Sequence, residues 1–168
     1  MTNMFNSICR DVLENGGAVI GNRTCSVANS TLDYTQCTRM ILDIGGQIEA
    51  LRENGFGLLY LSVDDITITR DGSYLLTPLE DPVSCDENGI LLIDRPFIYN
   101  KDTMAPELKR IHALPSKVFY TSVYYSLKSI VLKVMGIDDI QSLFPTKLFY
   151  LIERCSVDDP KNRIFIFV

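Results

Sequence analysis

The chain has 168 residues, 46% of them hydrophobic, and a formal net charge of -5. That length and apolar share suffice for one buried core, so residues 1-168 read as a single domain, and the acidic balance argues against general nucleic-acid binding, which needs a basic surface. The five cysteines (Cys9, Cys25, Cys37, Cys85, Cys155) are odd in number and lack metal-ligand spacing, and the single His112 cannot complete a zinc site. No metal or cofactor is expected. Met1 to Arg10 contains no apolar run of the kind that opens a signal peptide, so reduced thiols in an intracellular protein, cytoplasmic or nuclear, are the expectation. Without secretion, the glycosylation tripeptides at Asn22 and Asn29 carry no weight.

In chain order, Phe5 to Glu14 places Phe5, Ile8, Val12 and Leu13 on one face of a short helix that Asn15-Gly16-Gly17 stops. Residues 18-30 read as a polar loop. A second helix spans 31-54, capped by Ser30 or Thr31 with Asp33 in its first turn. Cys37, Ile41, Ile44, Ile48 and Leu51 make its apolar stripe. Gly45-Gly46 inside it costs propensity, about 1 kcal/mol each against Ala, unless close packing needs the missing side chains. The period then changes. Ile66 to Thr69 and Tyr74 to Leu76 flank Arg70-Asp71-Gly72-Ser73 and predict a small hairpin within 64-77. A second extended stretch runs from Ile90 to Ile93 and on to Tyr99.

Ser116 to Met135 is apolar or aromatic around nearly its whole circumference, with Ser116 as N-cap candidate and Gly136 as the C-terminal stop. A helix without a polar stripe must be buried on all sides. Lys117, Lys128 and Lys133 interrupt it too often for a membrane span, and no membrane association is expected. After a short connection over 136-145, Thr146 to Cys155 turns Leu148, Leu151, Ile152 and Cys155 to one side. A polar turn over 158-163 and an apolar tail, Ile164 to Val168, follow.

Several stretches in this order resemble the C-terminal lobe of a protein kinase. Met104-Ala105-Pro106-Glu107 looks like the Ala-Pro-Glu motif that closes the activation segment. Tyr125-Ser126-Leu127 resembles the Trp-Ser-Leu-Gly stretch of the central helix, with Lys128 where Gly is usual. Leu148 to Arg163, ending Asp159-Pro160-Lys161-Asn162-Arg163, is similar to the closing Asp-Pro-x-x-Arg pattern. The resemblance covers essentially the whole chain. It implies a mainly α (α+β) fold, a kinase C-lobe-like helical domain with a small β-hairpin. It also implies a largely buried ion pair between Glu107 and Arg163.

The same resemblance argues against catalysis. Phosphoryl transfer needs a Lys, a catalytic-loop Asp, an Asn and a magnesium-binding Asp, with a Gly-rich loop over the phosphates. Residue 1 falls near the hinge, so the lobe carrying the Gly-rich loop and Lys is expected to be absent. Aligning the hairpin puts Leu58-Leu59-Tyr60 where His-Arg-Asp is usual, so Tyr60 takes the place of the base. Asp65 falls at the metal-binding Asn, and Pro78-Leu79-Glu80 replaces Asp-Phe-Gly, with Pro78 at the magnesium ligand. A phenol is no substitute for a carboxylate base, and Pro offers magnesium nothing. The chain is therefore expected not to be an enzyme.

What remains is a non-catalytic scaffold. It is similar to the kinase non-catalytic C-lobe domain and is expected to act as a protein-protein interaction module. The alternative is a regulator or decoy of an active kinase, of viral or parasite origin. The short connection after Gly136 and the end of the chain soon after Arg163 imply missing family helices, whose uncovered surface a partner or a second copy would cover. The segment from Asp64 to Asp94 is strongly acidic, and Glu80, Asp81, Asp86 and Glu87 are the candidate partner-binding residues, suited to a basic protein or peptide. The bland reading of this segment is a solvated loop face. Asp64-Asp65 likewise reads as a solvated pair rather than a cation site, His112 as a surface residue, and the aromatics of 119-125 as core.

Overall fold

In a computed structural model of the chain, residues 2-17, 25-98 and 101-167 are described. The Asn22 tripeptide, residues 18-24 of the polar loop and the Tyr99 end of the second extended stretch lie outside them. Among the described residues, five α-helices, α1 (Thr2–Asn15), α2 (Tyr34–Glu53), α3 (Pro106–Lys109), α4 (Ser122–Met135) and α5 (Lys147–Cys155), are interleaved with seven short strands. Sheet one has the order β1-β3-β4 from Cys25–Ser26, Ile66–Ile68 and Tyr74–Leu76. Sheet two has the order β2-β5-β6-β7 from Phe56–Gly57, Val83–Cys85, Ile90–Ile93 and Ser116–Phe119. Both are antiparallel throughout.

The expected fold is thereby corrected. A mainly helical, C-lobe-like domain with one small hairpin does not describe a chain that is 47% helical and 13% strand with sheets of three and four strands. The hairpin exists, with Ile66 opposite Leu76 and Gly72 at φ 81° in its turn, but it is two strands of a larger sheet. The central segment differs more. Ser116 to Phe119 is not the first turn of a helix: it pairs with Ile93 to Ile90 as an edge strand, and α4 starts only at Ser122. Val118 and Phe119 are β-prone, and pairing with a distant strand overrides a local apolar run that continues into the helix behind it. Ser116 is therefore no N-cap, whereas Gly136 does end α4 in the left-handed conformation, φ 63°. Asp33, not Ser30 or Thr31, caps α2, with Gln36 completing a reciprocal capping box.

Sheet one is pinned to α2 through side chains. Within the hairpin, Ser73 O accepts from Thr69 N and Asp65 O accepts from Thr77 N. The alternate groups of β4 turn the other way: Asp43 Oδ2 accepts from Tyr74 N, and the fully buried Gln47 donates to Tyr74 O and accepts from Leu76 N. Two residues one helical turn apart thus stand in for a missing strand and cover an edge that would otherwise be open.

The larger core packs α1, α2, α4 and α5 with sheet one, around Phe5, Met40, Ile44, Leu61, Tyr124 and Leu151. A smaller one lies on sheet two and includes Leu59, Leu91, Ile93, Met104 and Leu108. The Tyr124 hydroxyl donates to Glu49 on α2, and its ring stacks on Phe165 with centroids 5.3 Å apart. Gly45 is where α2 admits that Phe165 ring, since a methyl group there would overlap it. The apolar tail therefore docks by alternate residues, with Phe165 and Phe167 against the core and Ile164 and Ile166 about half exposed. Among the described residues, no helix is long and apolar enough to cross a membrane.

Candidate functional site

Two places collect the singled-out residues, a buried ion pair and an acidic cleft. Arg163 follows the 3-10 turn Pro160–Asn162 and is 3% exposed. Its Nη1 donates to Glu107 Oε1 at 2.5 Å and its Nη2 to Glu107 Oε2 at 2.9 Å, a bidentate fork. The remaining donors reach the carbonyls of Val157, Asp158 and Thr121. The guanidinium also lies 5.1 Å from the centre of the Tyr125 ring. Glu107 sits in the first turn of α3 and accepts a third bond from Ser122 Oγ at 2.7 Å. Burial pushes its carboxyl up, but the Arg163 and Ser122 hydrogen bonds outweigh that and hold it below the ordinary carboxylate value. This pair joins α3, the start of α4 and the turn after α5. Its chemistry is structural.

The cleft, of about 210 Å³, lies where the segment after β2 faces the segment after β4. Tyr60, Asp65 and Pro78, the residues at the three catalytic positions of the resemblance, all line it, together with Glu80 and Asp81. Ser126 on α4 fixes one wall: fully buried, it accepts from Leu61 N and donates to Thr103 O. Nothing in the sequence marked Ser126 for that task, because its partners are backbone groups distant along the chain.

At the positions of the resemblance, Tyr60 and Asp65 are engaged in internal bonds. Asp65 is 6% exposed, with Oδ2 accepting from the backbone and hydroxyl of Ser62 and Oδ1 from Leu79 N. The expectation of a solvated Asp64-Asp65 pair thus fails for Asp65, whose carboxylate closes the loop, and holds for the exposed Asp64. Tyr60 has its phenol pushed up to about 12, by burial first and then by Glu80 and Asp65, so it stays protonated at neutral pH. Glu80 Oε1 accepts from Tyr60 OH and from Ile98 N at 2.8 Å, strapping residues 95-98 beside the cleft. Arg95 reinforces the strap through Pro82 O and lies 4.0 Å from Asp81.

Asp86 and Glu87 do not line the cleft; they sit in the turn between β5 and β6. Asp86 Oδ1 accepts from Asn88 N and Ile90 N and shapes that turn, while Glu87 is exposed. The four candidate partner-binding acids are therefore not equivalent. Glu80 and Asp86 each accept hydrogen bonds from backbone amides. Exposed His112 lines a separate apolar groove with Phe97, Leu108 and Leu114. No group of three or more His, Cys, Asp or Glu able to hold a metal ion occurs among the described residues. Neither a known protein family nor a curated protein matches the chain.

Proposed function

We propose that the chain is a catalytically inactive, protein kinase-related module that acts inside the cell by binding a basic protein or peptide. The observation that carries this reading is the cleft itself. The groups that phosphoryl transfer would need as base and metal ligands are a protonated phenol at Tyr60, a fully engaged carboxylate at Asp65 and a proline at Pro78. The buried Glu107–Arg163 fork ties α3 to the turn after α5. Apolar walls lined also by acids suit recognition, where like charge on one face raises the encounter rate and apolar burial holds the complex.

Two experiments test it. Millimolar Mg-ATP should leave the melting temperature unchanged and show no turnover; a rise of several degrees would contradict the reading, since a ligand of the native state must stabilise it. Charge reversal at Asp81 and Glu87, which are exposed, should slow association with a basic partner and flatten its dependence on salt. An association rate indifferent both to salt and to these substitutions would remove the acidic face from the account.

A further inference from the structure

The cleft has two chemically different kinds of lining. Leu58, Pro78, Leu79 and Ile98 give it apolar walls, and Leu79 and Ile98 are 79% and 69% exposed at its lip. Its charged lining is Asp64, Asp65, Glu80 and Asp81, with no Lys, Arg or His among the described residues that line it. Asp65 is spent internally, but Asp64 is exposed and makes no hydrogen bond or ion pair among the described residues. Glu80 uses only Oε1 on Tyr60 and Ile98, leaving Oε2 without a protein partner there. Unspent negative charge and apolar side chains thus line the same cleft.

We propose that this cleft takes a single arginine side chain presented by an extended segment of the partner. The aliphatic stem would lie between Leu58, Pro78, Leu79 and Ile98, and the guanidinium would meet Asp64 and Glu80 Oε2. A guanidinium on a three-carbon stem matches both kinds of lining, because the stem buries apolar surface while the head remains bonded. A simple cation matches only the charge, and an apolar side chain only the walls. The inference rests on the protein-binding reading above and names the chemistry its cleft selects.

The test uses the full chain, isotope-labelled for NMR, and acetyl-Leu-Arg-Leu-amide as probe. The amides of Ser62 to Asp65 and of Leu79 to Asp81 should shift as the peptide is added. The same peptide with citrulline for arginine should bind about tenfold more weakly or worse, because citrulline keeps the shape and loses the charge. Asp64→Asn, which breaks no internal bond, should weaken the arginine peptide several-fold and leave the citrulline peptide unchanged. Equal binding of the two peptides, shifts confined to other surfaces, or no shift at all would overturn the proposal. So would magnesium or ATP moving the same amides more strongly than the peptide. If the peptide fails while a protein partner still responds to charge reversal at Asp81 and Glu87, the arginine site is wrong and the wider binding role stands.

Discussion

Arg163→Ala is expected to destabilise the fold by about 3–5 kcal/mol, the cost of leaving one charge of a buried pair alone. The arginine is 3% exposed and ties Glu107 to the carbonyls of Val157, Asp158 and Thr121, so its removal unties three segments at once. Urea unfolding checks the value, as a fall in midpoint at unchanged slope. Glu107→Ala should cost a similar amount, and the double substitution clearly less than the sum, because the two share one interaction. The pair also sets an acid limit. Glu107 has a folded value below its ordinary 4.5, so its contribution is complete above about pH 4.5 and is lost as pH falls through the lowered folded value. Glu107→Gln should flatten that part of the acid unfolding curve.

Gln47→Leu is the second large effect. The side chain is fully buried, and its amide serves both Tyr74 O and Leu76 N of β4. Leucine fills nearly the same space but strands both backbone groups, at about 1–3 kcal/mol each. The expected loss is about 3 kcal/mol or more, with exchange protection lost first at Tyr74 to Leu76. Gln47→Glu should cost less at low pH, where the protonated carboxyl can donate to Tyr74 O, than at neutral pH, where it cannot. A loss below about 1 kcal/mol for Gln47→Leu would mean that the edge of sheet one does not depend on α2.

Local patterns carried the helices and the hairpin. The stripe from Cys37 to Leu51 places α2 because its spacing repeats over about four turns, and the Asp71-Gly72 turn places β3 and β4 because only a few residues accept a positive φ there. Sheet two was hidden for a physical reason. Phe56–Gly57 and Val83–Cys85 are two and three residues long, too short to show alternation, and they pair with each other from distant parts of the chain, with Leu91 packed directly over Gly57. The same long-range pairing took Ser116 to Phe119 out of the helix that its own composition predicts. At the cleft, residue types were legible, including a phenol at Tyr60 and a proline at Pro78. Their commitments were not: that Asp65 and Glu80 are bound to backbone depends on Leu79 and Ile98 coming close in space.

Hydrogen exchange on the chain in complex with a basic partner tests the protein-binding account most directly. The account predicts protection gained at Leu58 to Asp65, Thr77 to Asp81 and Arg95 to Ile98, the segments that build and strap the cleft, weakening as salt is raised. Protection gained only elsewhere, for example along the exposed face of α5 around Tyr150, or protection at the cleft on adding Mg-ATP alone, would contradict it.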